Sequence, residues 1–400
     1  MRRLAIFCVL AAALGLAAAA SGASRPSAPA IAGPNGVTPG RHTYVFSSIE
    51  KGVPEGRIHF RCSLDTARLH GCARRVTFRL AAGNHLLRAQ AVDPAGHRSS
   101  VSRLSISVQA VAPELTLTTL WQKPVTSVQF AHGALFGIAL GPDGNVYIAD
   151  PGEDQIQVYD PAGNLLRTWG SRGKGPGQFR FEDNPDLADA DIPFAMVGID
   201  QRTGQVYVGE SQRIQKFDAQ GNFQLSWGKV GIDNGQFTRV ADLTIGSNGT
   251  VYVMEDRPER LGRVEEFDSS GNFLTNFGRG QFVDPGGIVL DGAGNILVAD
   301  DKADNIKVFG ASGKFLHTVG HAGTAPGELL FPADLALLVN TLYVADQDHF
   351  RVVRFDLSTG KPTGYWPTGT TQTVGLAADK SGDVYAIDEK GVLAKYAISG

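Results

Sequence analysis

Between Pro113 and Gly400, apolar and polar residues alternate in short runs that are separated by glycine, asparagine, aspartate and proline. The first unit of this pattern reads FGIALG, PDG, NVYIAD, a charged loop, QIQVYD, PAG and NLLRTWG. Alternation with a period of two is typical of β-strands, and glycine or asparagine between the runs allows the positive φ angles of tight turns. The pattern therefore predicts four short antiparallel strands in each unit.

One strand of this unit recurs six times along the chain. Its copies are GNVYIAD from Gly144, GQVYVGE from Gly204, GTVYVME from Gly249, GNILVAD from Gly294, NTLYVAD from Asn340 and GDVYAID from Gly382, at separations of 60, 45, 45, 46 and 42 residues. A period near 45 residues corresponds to one four-stranded propeller blade. The repeat predicts an all-β fold, a six-bladed β-propeller over residues 115–400.

The fourth strands predict how the ring closes. Five of them end on a large apolar residue at one position: Trp169, Trp227, Phe277, Val319 and Trp366. The sixth unit has no fourth strand, whereas LTLTTLW, ending on Trp121, matches the missing strand in pattern. We expect this N-terminal strand to complete the last blade, and the tryptophans at this repeated position to pack between blades rather than to bind sugars.

The stretches GIALGPDGNVYIAD, IQVYDPAGNLLRTWG and GKGPGQF resemble the repeat consensus of the NHL family. The resemblance extends over nearly all of residues 115–400 and is weakest in the fifth and sixth units. It implies a propeller scaffold for binding proteins, RNA or small ligands, and the family's relatives include a few lyases. A shared fold does not by itself define a function.

The first residues predict export. A basic start, an apolar run and small residues make residues 1–23 a candidate signal peptide, with cleavage after Ala20 or Ala23. No later stretch is long and apolar enough for a membrane span, so we expect a secreted or envelope-associated protein. Residues 24–40 are rich in proline, glycine and serine, and this composition predicts a flexible linker.

Residues 41–110 show the alternation of a small antiparallel sandwich. With the signal peptide removed, Cys62 and Cys72 remain, and an even number of cysteines in an exported chain predicts a disulfide. The motif F-x-C-S-L-D from Phe60, the second cysteine and the later G-x-H-x-x-x-x-x-A-x-D-x-x-G motif from Gly83 resemble bacterial Ig-like repeats. This resemblance implies a spacer or adhesion module.

Charge is unevenly distributed along the chain. Residues 21–112 contain 12 Lys/Arg and 4 Asp/Glu, whereas residues 113–400 contain 23 and 36. The propeller is therefore acidic and has no continuous basic stripe, which argues against a nucleic acid partner. The arginines of the first module could meet an anionic surface or lie on solvated strand faces.

No catalytic constellation is evident in the sequence. The innermost predicted strands contain no histidine, and no serine has a histidine and an acid as partners. The acidic residues that end the second strands recur once per unit, which favours a role as acceptors for loop amides: Asp150, Glu210, Glu255, Asp300, Asp346 and Asp388. The enzyme alternative is a metal-dependent lyase or lactone hydrolase acting at the central channel.

An acidic insertion interrupts the repeat between the first and second units. Its carboxylates fall within ten residues: Glu182, Asp183, Asp186, Asp189 and Asp191. Oxygen ligands at this density suit Ca²⁺, although the spacing is not that of an EF-hand loop, and a solvated acidic loop is the simpler interpretation. Apart from this possible Ca²⁺ we expect no cofactor.

Strand alternation places this insertion and the loops between second and third strands on one face. Charged side chains that we expect on that face are Glu153, Arg213, Arg257, Arg260, Arg263, Lys302, His349 and Arg351. A mixed-charge rim suits a polar partner. The leading hypothesis is a secreted, non-catalytic binding or scaffold protein whose loop face binds a protein, peptide or cell-envelope polymer.

Overall fold

The computed structural model of the chain describes residues 25–37, 40–108, 112–126, 135–181, 194–210, 212–256 and 262–399. These residues belong to two compact units, which divide between Ala110 and Val111. Helical structure in the described ranges is limited to short 3-10 turns at Glu55–Arg57, Asp301–Ala303 and Gln347–His349. The all-β fold class predicted from the sequence is confirmed.

The N-terminal unit consists of two sheets around one core. Its strands are β1 (Ala30–Ala32), β2 (Gly36–Val37), β3 (Gly40–Ser47), β4 (His59–Leu64), β5 (His70–Cys72), β6 (Arg75–Leu80), β7 (Gly83–Val92) and β8 (Ser102–Val108). One sheet has the order β1-β3-β6 and the other β2-β8-β7-β4-β5. Tyr44 and Phe46 of the first sheet pack with Phe60 and Leu87 of the second. The unit is a two-layer β structure, and its relation to Ig-like repeats stays a prediction.

The predicted linker over residues 24–40 is corrected by the structure, because two strands lie within it. Ile31 of β1 is paired with Phe46 of β3, and Val37 of β2 is paired with Val108 of β8. Proline and glycine indicated a segment with little to bury, yet short strands at sheet edges tolerate both residues. Ile31 supplies the partly buried apolar side chain that holds β1 on the core.

The predicted disulfide is confirmed. Cys62 of β4 and Cys72 of β5 are bonded, and their Cα atoms are 6.0 Å apart. The two strands pair directly, with Phe60 opposite Cys72. The bond thus closes a hairpin at the edge of the larger sheet, and such a short loop contributes roughly 2 to 3 kcal/mol through the unfolded state.

The second unit contains the remaining strands. They are β9 (Thr116–Pro124), β10 (Leu135–Phe136), β11 (Ile138–Leu140), β12 (Val146–Asp150), β13 (Gln155–Tyr159), β14 (Leu165–Trp169), β15 (Phe194–Ile199), β16 (Val206–Glu210), β17 (Arg213–Phe217), β18 (Phe223–Trp227), β19 (Arg239–Ile245), β20 (Val251–Asp256), β21 (Arg263–Phe267), β22 (Phe273–Phe277), β23 (Pro285–Leu290), β24 (Ile296–Asp300), β25 (Asn305–Phe309), β26 (Phe315–Val319), β27 (Pro332–Leu338), β28 (Thr341–Asp346), β29 (Arg351–Asp356), β30 (Lys361–Pro367), β31 (Thr373–Ala378), β32 (Val384–Asp388) and β33 (Val392–Ser399).

These strands form six antiparallel blades in chain order. The sheets are β11–β14, β15–β18 with β10 added at its inner edge, β19–β22, β23–β26, β27–β30, and β31–β33 completed by β9. In the last sheet Thr116 is opposite Ser399 and Trp121 is opposite Lys395. The N-terminal strand therefore closes the ring, as predicted, and joins the two ends of the unit in one sheet.

Large aromatic residues and glycines hold neighbouring blades together. Trp169 at the end of the first blade lies against Gly221 in a turn of the second, and Trp227 lies against Gly271 in the third. A Cβ atom on Gly221 or Gly271 would be 2.7 or 2.8 Å from the facing indole ring, and both glycines have positive φ. The tryptophans are inter-blade packing units, so their repeated position has a structural cause.

Candidate functional site

The propeller has two different rims. One, the turn rim, contains the tight turns between first and second strands and between third and fourth strands. The other, the loop rim, contains the loops between second and third strands and the connections that lead into each first strand. Strand direction alternates within every blade, so these two sets of connections lie at opposite ends of the ring.

At the loop rim, the acidic residue that ends each second strand accepts backbone amides, as the sequence predicts. Glu210 Oε2 accepts from Arg180 N at 3.0 Å, and Glu255 Oε1 accepts from Thr238 N at 2.8 Å. Equivalent bonds are made by Asp150 to Gly152 N, Asp300 to Val283 N, Asp346 to Leu330 N and Asp388 to Lys390 N. In the second to fifth blades the donor belongs to the connection that enters the same blade. These carboxylates hold the backbone of the loop rim in place through hydrogen bonds.

Three of the predicted binding residues are the cationic partners of these carboxylates. Arg213 pairs with Glu210 at 2.7 Å, and Arg351 Nε donates to Asp346 Oδ2 at 2.6 Å. Arg263 contacts two buried carboxylates, Glu255 at 2.9 Å and Glu265 at 2.8 Å. Its side chain is only 3% exposed. Arg263 and Arg351 thus point into the rim, because each lies directly across the ladder from a buried acid, and they are not presented to a partner.

The other predicted binding residues have different surroundings. Lys302 is 62% exposed and pairs with Asp284 at 2.8 Å. Glu153 is exposed, and His349 is mostly buried with its Nδ1 2.8 Å from Asp346 Oδ2. Arg257, Arg260 and the candidate Ca²⁺ ligands Glu182, Asp183, Asp186, Asp189 and Asp191 lie outside the described residues.

A cavity of about 980 Å³ runs along the centre of the ring, lined by the first strands of the blades. One position of these strands lines the cavity in five of the six blades and differs from blade to blade. It is occupied in chain order by Gly137, Met196, Asp242, Gly287, Asp334 and Gly375. Two carboxyl groups therefore belong to a ring position that is otherwise filled by glycine or methionine.

Both carboxyl groups bind the backbone of the following blade. Asp242 Oδ2 accepts from Ile288 N at 2.8 Å, and Asp334 Oδ2 accepts from Leu376 N at 2.6 Å. Burial, together with the charge of Asp334, raises the pKa of Asp242 well above its ordinary value. Burial raises the pKa of Asp334 to about 7. Asp334 therefore titrates near neutral pH, and the pKa of its neighbour Asp242 is shifted in the same direction.

The mouth of the cavity on the loop rim is lined by charged side chains of the third and fourth blades. Arg239 pairs with Asp256 and lies over the Phe194 ring, and Lys302 pairs with Asp284. Burial, with the nearby charges of Asp284 and Asp300, raises the pKa of Asp301 well above its ordinary value. Its Oδ1 is buried and accepts no hydrogen bond from the described part of the chain.

Sequence reasoning did not single out Asp242, Asp334 or Asp301. The first two were detectable, because an aspartate interrupts the apolar runs VADLTI and PADLALL where the other units have glycine or methionine. Asp301 follows the repeated Asp300 directly, and only the structure shows that it lines the cavity.

Metal ligands are not gathered at the cavity within the described ranges. These ranges contain no group of three or more histidine, cysteine or acidic side chains placed to hold a metal ion. Asp242 and Asp334 are two carboxylates, and Zn²⁺ takes about four ligands and Ca²⁺ six to eight.

Comparisons with known proteins agree with the fold. A model of the family described as 6-bladed beta-propeller matches residues 286–368. Protein brain tumor of Drosophila melanogaster is 29% identical over 113 residues, which are 28% of this chain and 10% of that protein. Gluconolactonase of Zymomonas mobilis subsp. mobilis is 24% identical over 242 residues, which are 56% of this chain and 64% of that protein. The chain spans less than two thirds of the length of both relatives.

Among solved structures, a catalytically inactive virginiamycin B lyase of Staphylococcus aureus with quinupristin is similar, with a TM-score of 0.45 and 12% identity over 78% of this chain and 90% of that one. Within the described ranges, no helix has the length and apolarity that crossing a bilayer requires. By its blades and ring closure, this protein is a six-bladed β-propeller preceded by a small two-sheet unit.

Proposed function

We propose that this protein is an exported, non-catalytic binding protein of the NHL-repeat type, which binds a protein, peptide or cell-envelope polymer at its loop rim. One observation carries the proposal: the departures from the repeat concentrate on the loop rim and the adjoining cavity mouth. On the turn rim, the turn between third and fourth strands has the same aspartate–asparagine pattern in the first three blades: Asp160–Asn164, Asp218–Asn222 and Asp268–Asn272. Variation on a rigid scaffold is where binding specificity arises.

Accessible charge at the loop rim supports a polar partner. Glu153 and Lys302 are exposed, whereas the carboxylates and arginines beneath them are paired and hold the loops in place. A preorganised rim of this kind loses little conformational entropy on binding. Export rests on the residue pattern of residues 1–23, and N-terminal sequencing of the mature protein tests it by locating the cleavage after Ala20 or Ala23.

A same-blade pair of variants tests the loop rim. Lys302→Glu reverses an exposed charge on the loop rim of the fourth blade, and Lys314→Glu makes the same change in that blade's β25–β26 turn. We expect labelled mature protein to bind saturably to envelopes isolated from the cells that produce it, with competition by unlabelled protein. Lys302→Glu should weaken this binding about tenfold and Lys314→Glu should leave it unchanged; equal effects of both variants would refute the loop rim as the binding site.

A second candidate is an enzyme that acts in the central cavity. Two cavity carboxyl groups with raised pKa values and the similarity to gluconolactonase favour it. Metal analysis of the mature protein and turnover assays on a panel of lactones test this candidate. A stoichiometric metal with turnover that Asp334→Asn abolishes would establish the enzyme, whereas less than about a tenth of an equivalent of metal and no turnover would leave the binding protein.

A further inference from the structure

The outer surface of the three-stranded sheet in the N-terminal unit is unusually rich in arginine. Arg41 of β3 lies directly opposite Arg79 of β6, and Arg75 of β6 lies opposite Val45. Between these two rungs, the hydroxyls of Thr43 and Thr77 are 2.8 Å apart. All three arginines are exposed. We call this surface, formed by Arg41, Arg75, Arg79, Thr43 and Thr77, the arginine face.

The acids of this unit do not neutralise the arginine face. Residues 25–108 contain 12 Lys/Arg and only 4 Asp/Glu. Glu55 pairs with Arg74, Asp65 with His85 and Asp93 with His97, while Glu50 lies in the turn after β3. Within the described residues, no ion pair involves the three arginines of the face.

Like charges directly opposite each other on a sheet cost stability, so the Arg41–Arg79 pair works against folding. Opposite positions have Cβ atoms about 5 Å apart, which brings two guanidinium groups within reach of a single phosphate. Arg75 lies four residues from Arg79 along β6, roughly 13 Å away at the rise of an extended strand. The face thus offers two cationic positions with a hydroxyl rung between them, which suits an extended chain that carries repeated anions.

We propose that the arginine face binds a phosphate-bearing linear polymer. Planar guanidinium groups bind phosphate through paired hydrogen bonds, and several contacts in a row add to one another along a polymer. Proteins that bind at a membrane surface combine cations with aromatic or leucine side chains. The arginine face places threonine between its cations instead, which favours a hydrophilic polymer over a bilayer.

Two variants with the same change of charge test this site. In the first, Arg41, Arg75 and Arg79 are each replaced by Gln; in the second, Arg57, Arg68 and Arg98 are each replaced by Gln. The second set is also exposed but lies away from the arginine face. The full mature chain is used, and its binding to long-chain inorganic polyphosphate is measured as a function of salt.

The wild-type protein should bind polyphosphate with an affinity that falls as salt rises. The arginine-face variant should lose about tenfold or more at low salt, while the control variant should lose less than about threefold. The melting temperature of the arginine-face variant should be unchanged or higher, since a like-charge pair is removed.

Three results would overturn the proposal. Equal losses in both variants would show a diffuse charge effect, and absence of polyphosphate binding by the wild type would remove the site. Binding to vesicles containing phosphatidylglycerol without binding to polyphosphate would assign the face to a bilayer. Lys302→Glu should not change polyphosphate binding, so failure of this site and failure of the loop rim can be told apart.

Discussion

Three aspartates of the turn rim and two aspartates of the loop rim and cavity have pKa values shifted in opposite directions. At the turn rim, the side chains of Asn164, Asn222 and Asn272 lower the pKa values of Asp160, Asp218 and Asp268. At the loop rim and in the cavity, burial raises the pKa values of Asp150 to about 6 and Asp334 to about 7. Hydrogen bonds thus hold these three turn aspartates in the charged form, whereas burial makes Asp150 and Asp334 easier to protonate.

The turn rim contains residues that form the fold, whereas the loop rim contains positions whose side chains can differ and so can be adapted to a binding partner. Turn aspartates accept local amides, and in the first three blades the turn between third and fourth strands repeats the same aspartate–asparagine hydrogen bonds. The loop rim also relies on buried carboxylates, but their partners are not the same in all blades: the Gln157 amide donates to Asp150 in the first blade, arginines such as Arg213 pair with the acid in the second, third and fifth, and Lys307 does so in the fourth. A ring of equivalent positions with unequal chemistry is a surface on which binding specificity can arise.

The largest effect is expected inside the loop rim. Arg263→Met removes the cation that contacts buried Glu255 and Glu265 and should lower the free energy of unfolding by about 3 to 5 kcal/mol. Lys302→Met breaks a mostly exposed ion pair and should cost less than about 1 kcal/mol. Chemical denaturation measures both variants, and similar losses in the two would contradict the distinction between interior and surface charges of this rim.

A smaller effect is expected at the turn rim. Gly271→Ala adds a methyl group at a φ of +80°, 2.8 Å from the Trp227 ring, and should cost roughly 2 to 4 kcal/mol. Gly360 ends the corresponding turn of the fifth blade at a φ of +65° with nothing near its Cβ position. Gly360→Ala should therefore cost only about 1 to 2 kcal/mol. If denaturation shows equal losses, packing of the tryptophan against the turn does not hold the blades together.

The next prediction concerns pH. The pKa of Asp334 is higher in the folded protein than in the unfolded chain, so the folded state binds the proton more tightly and its stability falls as pH rises from about 4 to 7. Asp334→Asn should reduce the difference in unfolding free energy between pH 5 and pH 8 by roughly 1 to 3 kcal/mol.

The turn-rim control has the opposite sign. Because the pKa of Asp268 is lowered, its contribution is present above pH 4 and is lost as pH falls. Asp268→Asn should therefore destabilise the protein at neutral pH but have little effect at acidic pH. Chemical denaturation of wild type and variant at several pH values would measure this. An unchanged pH profile in Asp334→Asn would mean that this carboxyl is ionised in the folded protein.

Most of the propeller could be predicted from sequence because its constraints are local and repeated. The contact of Trp169 with Gly221 is repeated by Trp227 with Gly271. Such a repeat predicts both the end of one blade and the turn of the next blade on which it packs. The missing fourth strand of the last unit and the additional strand ending at Trp121 predicted the ring closure, which the pairing of β9 with β33 confirms.

Other features depended on contacts between distant residues. The residues that flank Ile31 in the sequence do not predict its pairing with Phe46, because proline and glycine on both sides favour a linker. Arg263 was predicted at an exposed rim because charged loop residues are usually solvated, whereas its position across from Glu255 places it in the interior. The charge of Asp334 acts on Asp242 only because the ring brings together strands about ninety residues apart.

Photo-crosslinking from the two rims tests the central claim most directly. A photo-reactive residue placed at position 302 reports on the loop rim of the fourth blade, and one at position 314 reports on that blade's turn rim. With isolated envelopes, we predict crosslinked products from position 302 that excess wild-type protein abolishes, and none from position 314. Competed products from position 314 alone, or equally from both positions, would contradict the assignment of the loop rim as the binding surface.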